Sequence, residues 1–186
     1  MSTATIARVQ DLTGTYTLDP SHSRIGFVAR HAMIAKVRGA FNEVSGTATI
    51  DGANPSASSL EVTIQAGSVD TRDANRDGHL TSPDFFDVAT YPTITFVATG
   101  FEITADDTVE VTGNLTIKDV TRPVTVPFEF GGAATDPFGN HRIGFEGQVS
   151  VNRKDWGLTW NAALETGGVL VSDKVTLEFE VSAVQA

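Results

Sequence analysis

The chain has 186 residues, a formal net charge of −10, 40% hydrophobic and 19% charged residues, and no cysteine. A single domain of this size buries about 70% of the surface its unfolded chain exposes. The acidic balance argues against a nucleic-acid partner, and the absence of cysteine removes disulfides, thiolate catalysis and Cys-ligated metals.

The opening stretch, "MSTATIARVQDLTGTYTL", has no apolar core of signal-peptide length and carries Asp11 early. Residues 1–14 read as a short mobile leader and residues 15–186 as one domain, with a cytoplasmic location as the default. No apolar run approaches the ~20 residues of a spanning helix.

Alternation of apolar and polar residues then recurs down the chain, the signature of strands with one buried face. Candidates are 23–31, 37–50, 59–65, 93–101, 109–117, 124–130, 143–152 and 175–181. In 59–65, Leu60, Val62 and Ile64 alternate with Glu61, Thr63 and Gln65. Asp51-Gly52, Asp106-Asp107, Gly131-Gly132, Pro137 and Gly139 supply turn chemistry between strands. Pro127 deletes a ladder donor, so its strand is expected to lie at an edge or to be bulged there. About eight antiparallel strands with one apolar face suit either a closed barrel with a lumen or a sandwich whose core they fill.

The strands are interrupted by residues 67–92. Asp70-Thr71 is a cap for a short helix through 72–77, stopped by Gly78. Ser82-Pro83-Asp84 is a second start signal, because serine accepts orphan N–H groups and proline suits the first helical position. Phe85 and Phe86 then share one helical turn, on which adjacent side chains diverge by about 100°. They either gate a barrel mouth or sit as core residues under a long loop.

Polar constellations are few. His22, His31, His79 and His141 show no metal-ligand spacing. No nucleophile elbow, P-loop or dinucleotide fingerprint occurs. Between Pro20 and Asn42 there is no acidic residue, yet the stretch holds Arg24, Arg30, Lys36 and Arg38 with His22 and His31. This cationic island suits an anionic head group, or else a solvated face paired with carboxylates elsewhere. By alternation His31 shares the inward face with Ile25, Phe27 and Ala29, while Arg24 and Arg30 face outward. Arg153 and Asp155, beside Trp156, form either a structural ion pair or a pair that tunes a pocket.

Six stretches fall in order: "YTLDPSHSRIGFVARH" (16–31), "VRGAFNEVSG" (37–46), "GHLTSPDFFDVATYPTITF" (78–96), "VTGNLTIKDVTRPVTVPFEF" (111–130), "VNRKDWGL" (151–158) and "GGVLVSDKVTLEFEV" (167–181). Together they resemble the YceI-like, polyisoprenoid-binding family. The resemblance implies an all-β, eight-stranded antiparallel lipocalin-like barrel, with the helical insert between the third and fourth strands. It also implies a homodimeric binder or carrier of a quinone-like or prenyl-phosphate lipid, linked in some members to stress, and not an enzyme. The signature positions carried over are Asp19, His22, Ser23, His31, Asp84, Phe85, Phe86, Asp87, Arg153 and Asp155. Trp156 departs from the family's more usual phenylalanine, which puts the accepted tail length in question.

Combined with the alternation, the pore-lining candidates are Ile25, Phe27, His31, Phe41, Val62, Ile64, Phe85, Phe86, Ile94, Phe96, Leu115, Val126, Phe128, Phe145, Val149, Trp156, Leu177 and Phe179. Asp19, His22, Ser23, Arg153 and Asp155 are polar candidates for a head group or for structure. No metal or cofactor is expected. The rival reading is an enzyme acting on a lipophilic small molecule, with His31 and Asp155 as acid–base groups.

Overall fold

The computed structural model describes residues 8–186. Eleven strands form one antiparallel sheet: β1 (Thr13–Leu18), β2 (Arg24–His31), β3 (Ala35–Phe41), β4 (Val44–Asp51), β5 (Ser59–Gln65), β6 (Val69–Asp70), β7 (Thr93–Ala105), β8 (Thr108–Ile117), β9 (Val120–Thr135), β10 (His141–Asn152) and β11 (Lys174–Gln185). One α-helix, α1 (Ala74–Thr81), lies between β6 and β7.

The order β1-β4-β5-β7-β8-β9-β10-β11 closes on itself because β1 also pairs β11. Both β1 and β2 run along β11, at Leu18↔Ala183 and then Ile25↔Phe179. They are two halves of one strand, bent at residues 19–23. Likewise β3 and β4 pair β2 and β1 in turn, and β6 continues β5 back onto β3. The eleven segments therefore make eight barrel strands, and the structure is the closed lipocalin-like barrel.

The bend between β1 and β2 follows from its residues. Asp19 accepts from Ser21 N at 3.1 Å, and Pro20 opens a 3₁₀ turn to His22. The Ser23 hydroxyl donates to Ser182 O at 3.1 Å and accepts from Ser182 N at 3.0 Å. A side chain thus substitutes for ladder rungs where the backbone leaves the sheet.

Residues 1–7 of the expected leader lie outside the described residues. The rest of it is packed: Val9 N donates to Asp106 O and Gly52 N to Leu12 O, both at 2.8 Å. Val9 and Leu12 are buried in the core. The packed barrel thus starts before the residue 15 boundary, and these two side chains close its lower end.

At the upper end two seams open. No ladder joins β6 to β7, and the β9–β10 ladder ends at Phe128↔Gly147. Pro127 is the next residue on β9, so the missing donor coincides with the end of pairing. The first seam is bridged by residues 71–92 and the second by a 3₁₀ turn, Arg153–Trp156.

The insert differs from the expected pair of helices. Helix α1 starts later, because Asp73 caps it by accepting from Arg76 N at 3.0 Å. Gly78 lies inside it, with open space where a side chain would stand, so it is tolerated at a cost of about 1 kcal/mol. Thr71 is buried and is held by Asp77 and Arg76. Ser82 ends this helix and begins no second one: its hydroxyl donates to His79 O, and residues 83–86 form turns.

Candidate ligand-binding site

Inward side chains of the eight strands form two clusters. The upper one includes Leu18, Ile25, Ile64, Leu115, Val126 and Trp156; the lower one includes Val9, Leu12, Tyr16, Val111, Phe130 and Ile143. Phe96 and Phe128 pack against both and mark a waist. Glycines leave room for these rings. A side chain on Gly113 would collide with Phe96, one on Gly147 with Phe128, and one on Gly39 with Phe27.

The clusters do not fill the interior. They wall a cavity of about 310 Å³ that runs from Val9 at the lower end to Trp156 and Phe85 at the upper end. This is the lower end of the size range for small-molecule sites. Of the pore-lining candidates, Ile25, Phe27, Phe41, Val62, Ile64, Phe85, Phe86, Ile94, Phe96, Leu115, Val126, Phe128, Phe145, Trp156, Leu177 and Phe179 form its wall. Tyr16, Leu18, Phe101, Ile103, Val109, Leu158 and Val175 line it as well. Tyr16 and Leu18 sit on a threonine-rich strand, and Ile103 extends β7 beyond its expected end at Phe101.

Two candidates are absent from the wall. His31 has inward parity, yet β2 overshoots the barrel and leaves it exposed, bridged to Val171. Val149 lies past the end of the β9–β10 ladder and packs against the upper cluster without reaching the cavity.

The insert covers the upper end. Phe85 is buried, 5.0 Å from the His79 ring and 5.5 Å from Trp160. Phe86 turns the other way and meets Phe41 edge-on at 5.7 Å. Asp84 holds His79 through Nε2 at 2.9 Å. Asp87 adopts a left-handed backbone, φ 48°, a conformation that aspartate tolerates better than most residues.

The polar candidates separate. Asp19 is a corner group outside the lumen. It accepts from Arg142 Nη1 at 2.6 Å, from Ser21, and from His22 Nδ1 at 2.8 Å. The Arg142 hydrogen bond, first among these, holds its carboxyl well below the usual range. Arg142 also meets Asp136 at 2.8 Å with the same effect. Arg153 does line the cavity and is buried. Its Nε donates to Ser172 O at 2.9 Å, Nη1 to Leu158 O at 2.5 Å and Nη2 to Val171 O at 3.4 Å. Burial pushes its guanidinium below its ordinary value, opposed by Asp173 at 3.9 Å.

Asp155 forms no pair with Arg153. Its side chain is exposed, and its carbonyl accepts from Arg122 Nε at 3.3 Å. His31 and Asp155 therefore do not assemble an acid–base pair on the lumen. On the outer face, Arg24 and Arg38 flank Glu178 Oε1 at 3.8 and 3.7 Å, and that oxygen is itself buried without a hydrogen-bond partner among the described residues. Among the described residues no three His, Asp or Glu side chains form a metal cluster, and no helix is long and apolar enough to cross a membrane.

The YceI-like domain matches residues 16–183. The chain belongs to the YceI-like family. A UPF0312 protein of Pseudomonas aeruginosa is 41% identical over 152 residues, covering 80% of this chain and 78% of that one. The crystal structure of BcnA from Burkholderia cenocepacia superposes with a TM-score of 0.78 at 27% identity, over 89% of this chain and 98% of that one. A Saccharophagus degradans domain described as polyisoprenoid-binding shares the fold, with a TM-score of 0.71 at 17% identity over 92% of this chain and 98% of that one. In this YceI-like family member the apolar lumen brings together sixteen of the eighteen pore-lining candidates, with Arg153 beside them.

Proposed function

We propose that this chain binds an amphipathic lipid of the isoprenoid class, with its apolar tail in the barrel lumen. The observation that carries this reading is the cavity of about 310 Å³, walled along its length by aliphatic and phenylalanine side chains. An interior that only held the fold together would be close-packed. An apolar tail gains about 0.8 kcal/mol per buried CH₂, so several isoprene units are held without any specific polar contact. The polyisoprenoid-binding description of the Saccharophagus degradans domain supports the ligand class through shared fold. Phe27, Phe41, Phe96, Phe128 and Phe179 are the proposed tail contacts, with Arg153 the polar group nearest the upper end.

A carrier role, homodimerisation and a link to stress belong to this proposal and rest on the family resemblance. Organic extraction of freshly purified protein, followed by mass spectrometry, tests the ligand class. A polyprenyl or quinone-like lipid at a stoichiometric ratio is expected. Extraction of a lipid with no isoprenoid tail would overturn the class assigned.

A further inference from the structure

The β2–β3 hairpin extends past the barrel rim and ends in two exposed apolar residues. Met33 is 64% exposed and Ile34 81%. Ala32 and Met33 have φ of 52° and 62°, a left-handed pair costing about 1–2 kcal/mol per residue without glycine. The tip is nonetheless tied down. Ile34 N donates to His31 O at 3.0 Å and Ala32 N to Leu170 O at 2.7 Å, while Met33 Sδ fills the space over Gly168. On that neighbouring loop Val169 adds a third exposed apolar side chain.

Behind the tip, Arg30 and Lys36 are directly opposed across the hairpin. Like charges so placed are destabilising. Arg30 Nη1 reaches only the Ile34 carbonyl at 3.3 Å. Neither residue joins an ion pair among the described residues, although the chain as a whole stands at −10. Arg38 and Arg24 continue the cationic outer face toward Glu178, and the loop contributes Glu165 as an acid. The cavity wall reaches Ala29 and Val171, immediately beneath.

We propose that this tip docks the protein on an anionic lipid surface, with Met33 and Ile34 entering the interface and Arg30 and Lys36 meeting the head groups. An exposed apolar cap rimmed by unpaired cations is complementary to such a surface. A symmetric contact with a second copy would set these cations against themselves. The proposal goes beyond the lumen reading and is measured separately from it.

Flotation of the full chain with phosphatidylcholine vesicles, with and without phosphatidylglycerol, provides the test. Binding only to the phosphatidylglycerol vesicles, weakening with salt, is expected. R30Q/K36Q should partition about thirtyfold less, at about 1 kcal/mol per cation near an anionic surface. M33S/I34S should lose binding as well, while F138S, at the exposed turn between β9 and β10, should bind normally. Circular dichroism and bound-lipid content of each variant report folding and lumen occupancy independently. Absence of binding to anionic vesicles at low salt would overturn the proposal, as would equal binding by both tip variants. Self-association abolished by M33S/I34S, without vesicle binding, would assign the face to a second copy instead.

Discussion

Trp156 Nε1 donates to the backbone carbonyl of Leu115 at 2.9 Å, and the indole is 3% exposed. This bond ties the 3₁₀ turn after β10 to the wall of β8 and sets the upper limit of the lumen. Trp156→Phe removes the donor and leaves a buried carbonyl without this partner, at a cost of about 1–3 kcal/mol. Urea unfolding should show that loss. The smaller ring also lengthens the cavity, so extracted lipids should shift toward longer tails. An unchanged tail distribution would mean that Trp156 does not limit the ligand.

Residues of the covering insert divide between anchoring and contact. Phe85 packs against both His79 and Trp160, whose rings meet each other at 4.5 Å, whereas Phe86 faces Phe41. Phe85→Ala should cost about 3 kcal/mol, in the range of buried Phe truncations. Phe86→Ala should cost less but speed lipid exchange between labelled and unlabelled protein. Equal exchange rates for Phe86→Ala and the native chain would make Phe86 a static plug.

Acid stability should depend on the corner at Asp19. Its pKa and that of Asp136 are depressed by Arg142. A depressed carboxylate contributes stability that is present above its unfolded pKa of about 3.9 and is lost as pH falls toward the folded value. Asp19→Asn should therefore be less stable than the native chain at neutral pH. The two urea midpoints should converge as pH drops below about 4. Parallel curves down to strongly acid pH would separate this corner from acid unfolding.

The barrel was legible because inward and outward residues alternate with period 2, a pattern a closed antiparallel sheet imposes on every strand. What alternation cannot report is how far a strand runs inside the wall. His31 and Val149 have the right parity, but one lies beyond the rim and the other beside an open seam. The bend at Asp19–Ser23 was less visible because its rungs are made by the Ser23 side chain. In the insert, Ser82-Pro83-Asp84 satisfies the local rules for a helix start. Yet Ser82 already closes α1, and the phenylalanines that follow are positioned by tertiary contacts with Trp160 and Phe41. The lower closure by Val9 and Leu12 was hidden in a stretch too short and polar to show a period.

A blocked lumen distinguishes a barrel that holds a lipid from one whose interior only supports the fold. Ala48 lies on the cavity wall in β4, and Ala48→Phe places a ring in empty space, without the 1–3 kcal/mol penalty of overpacking a filled core. Native mass spectrometry of freshly purified protein is the measurement. The native chain should carry one amphipathic lipid per barrel, and Ala48→Phe should carry none while unfolding at the same or a higher temperature. A bare native chain, or a lipid adduct retained in folded Ala48→Phe, would contradict the account.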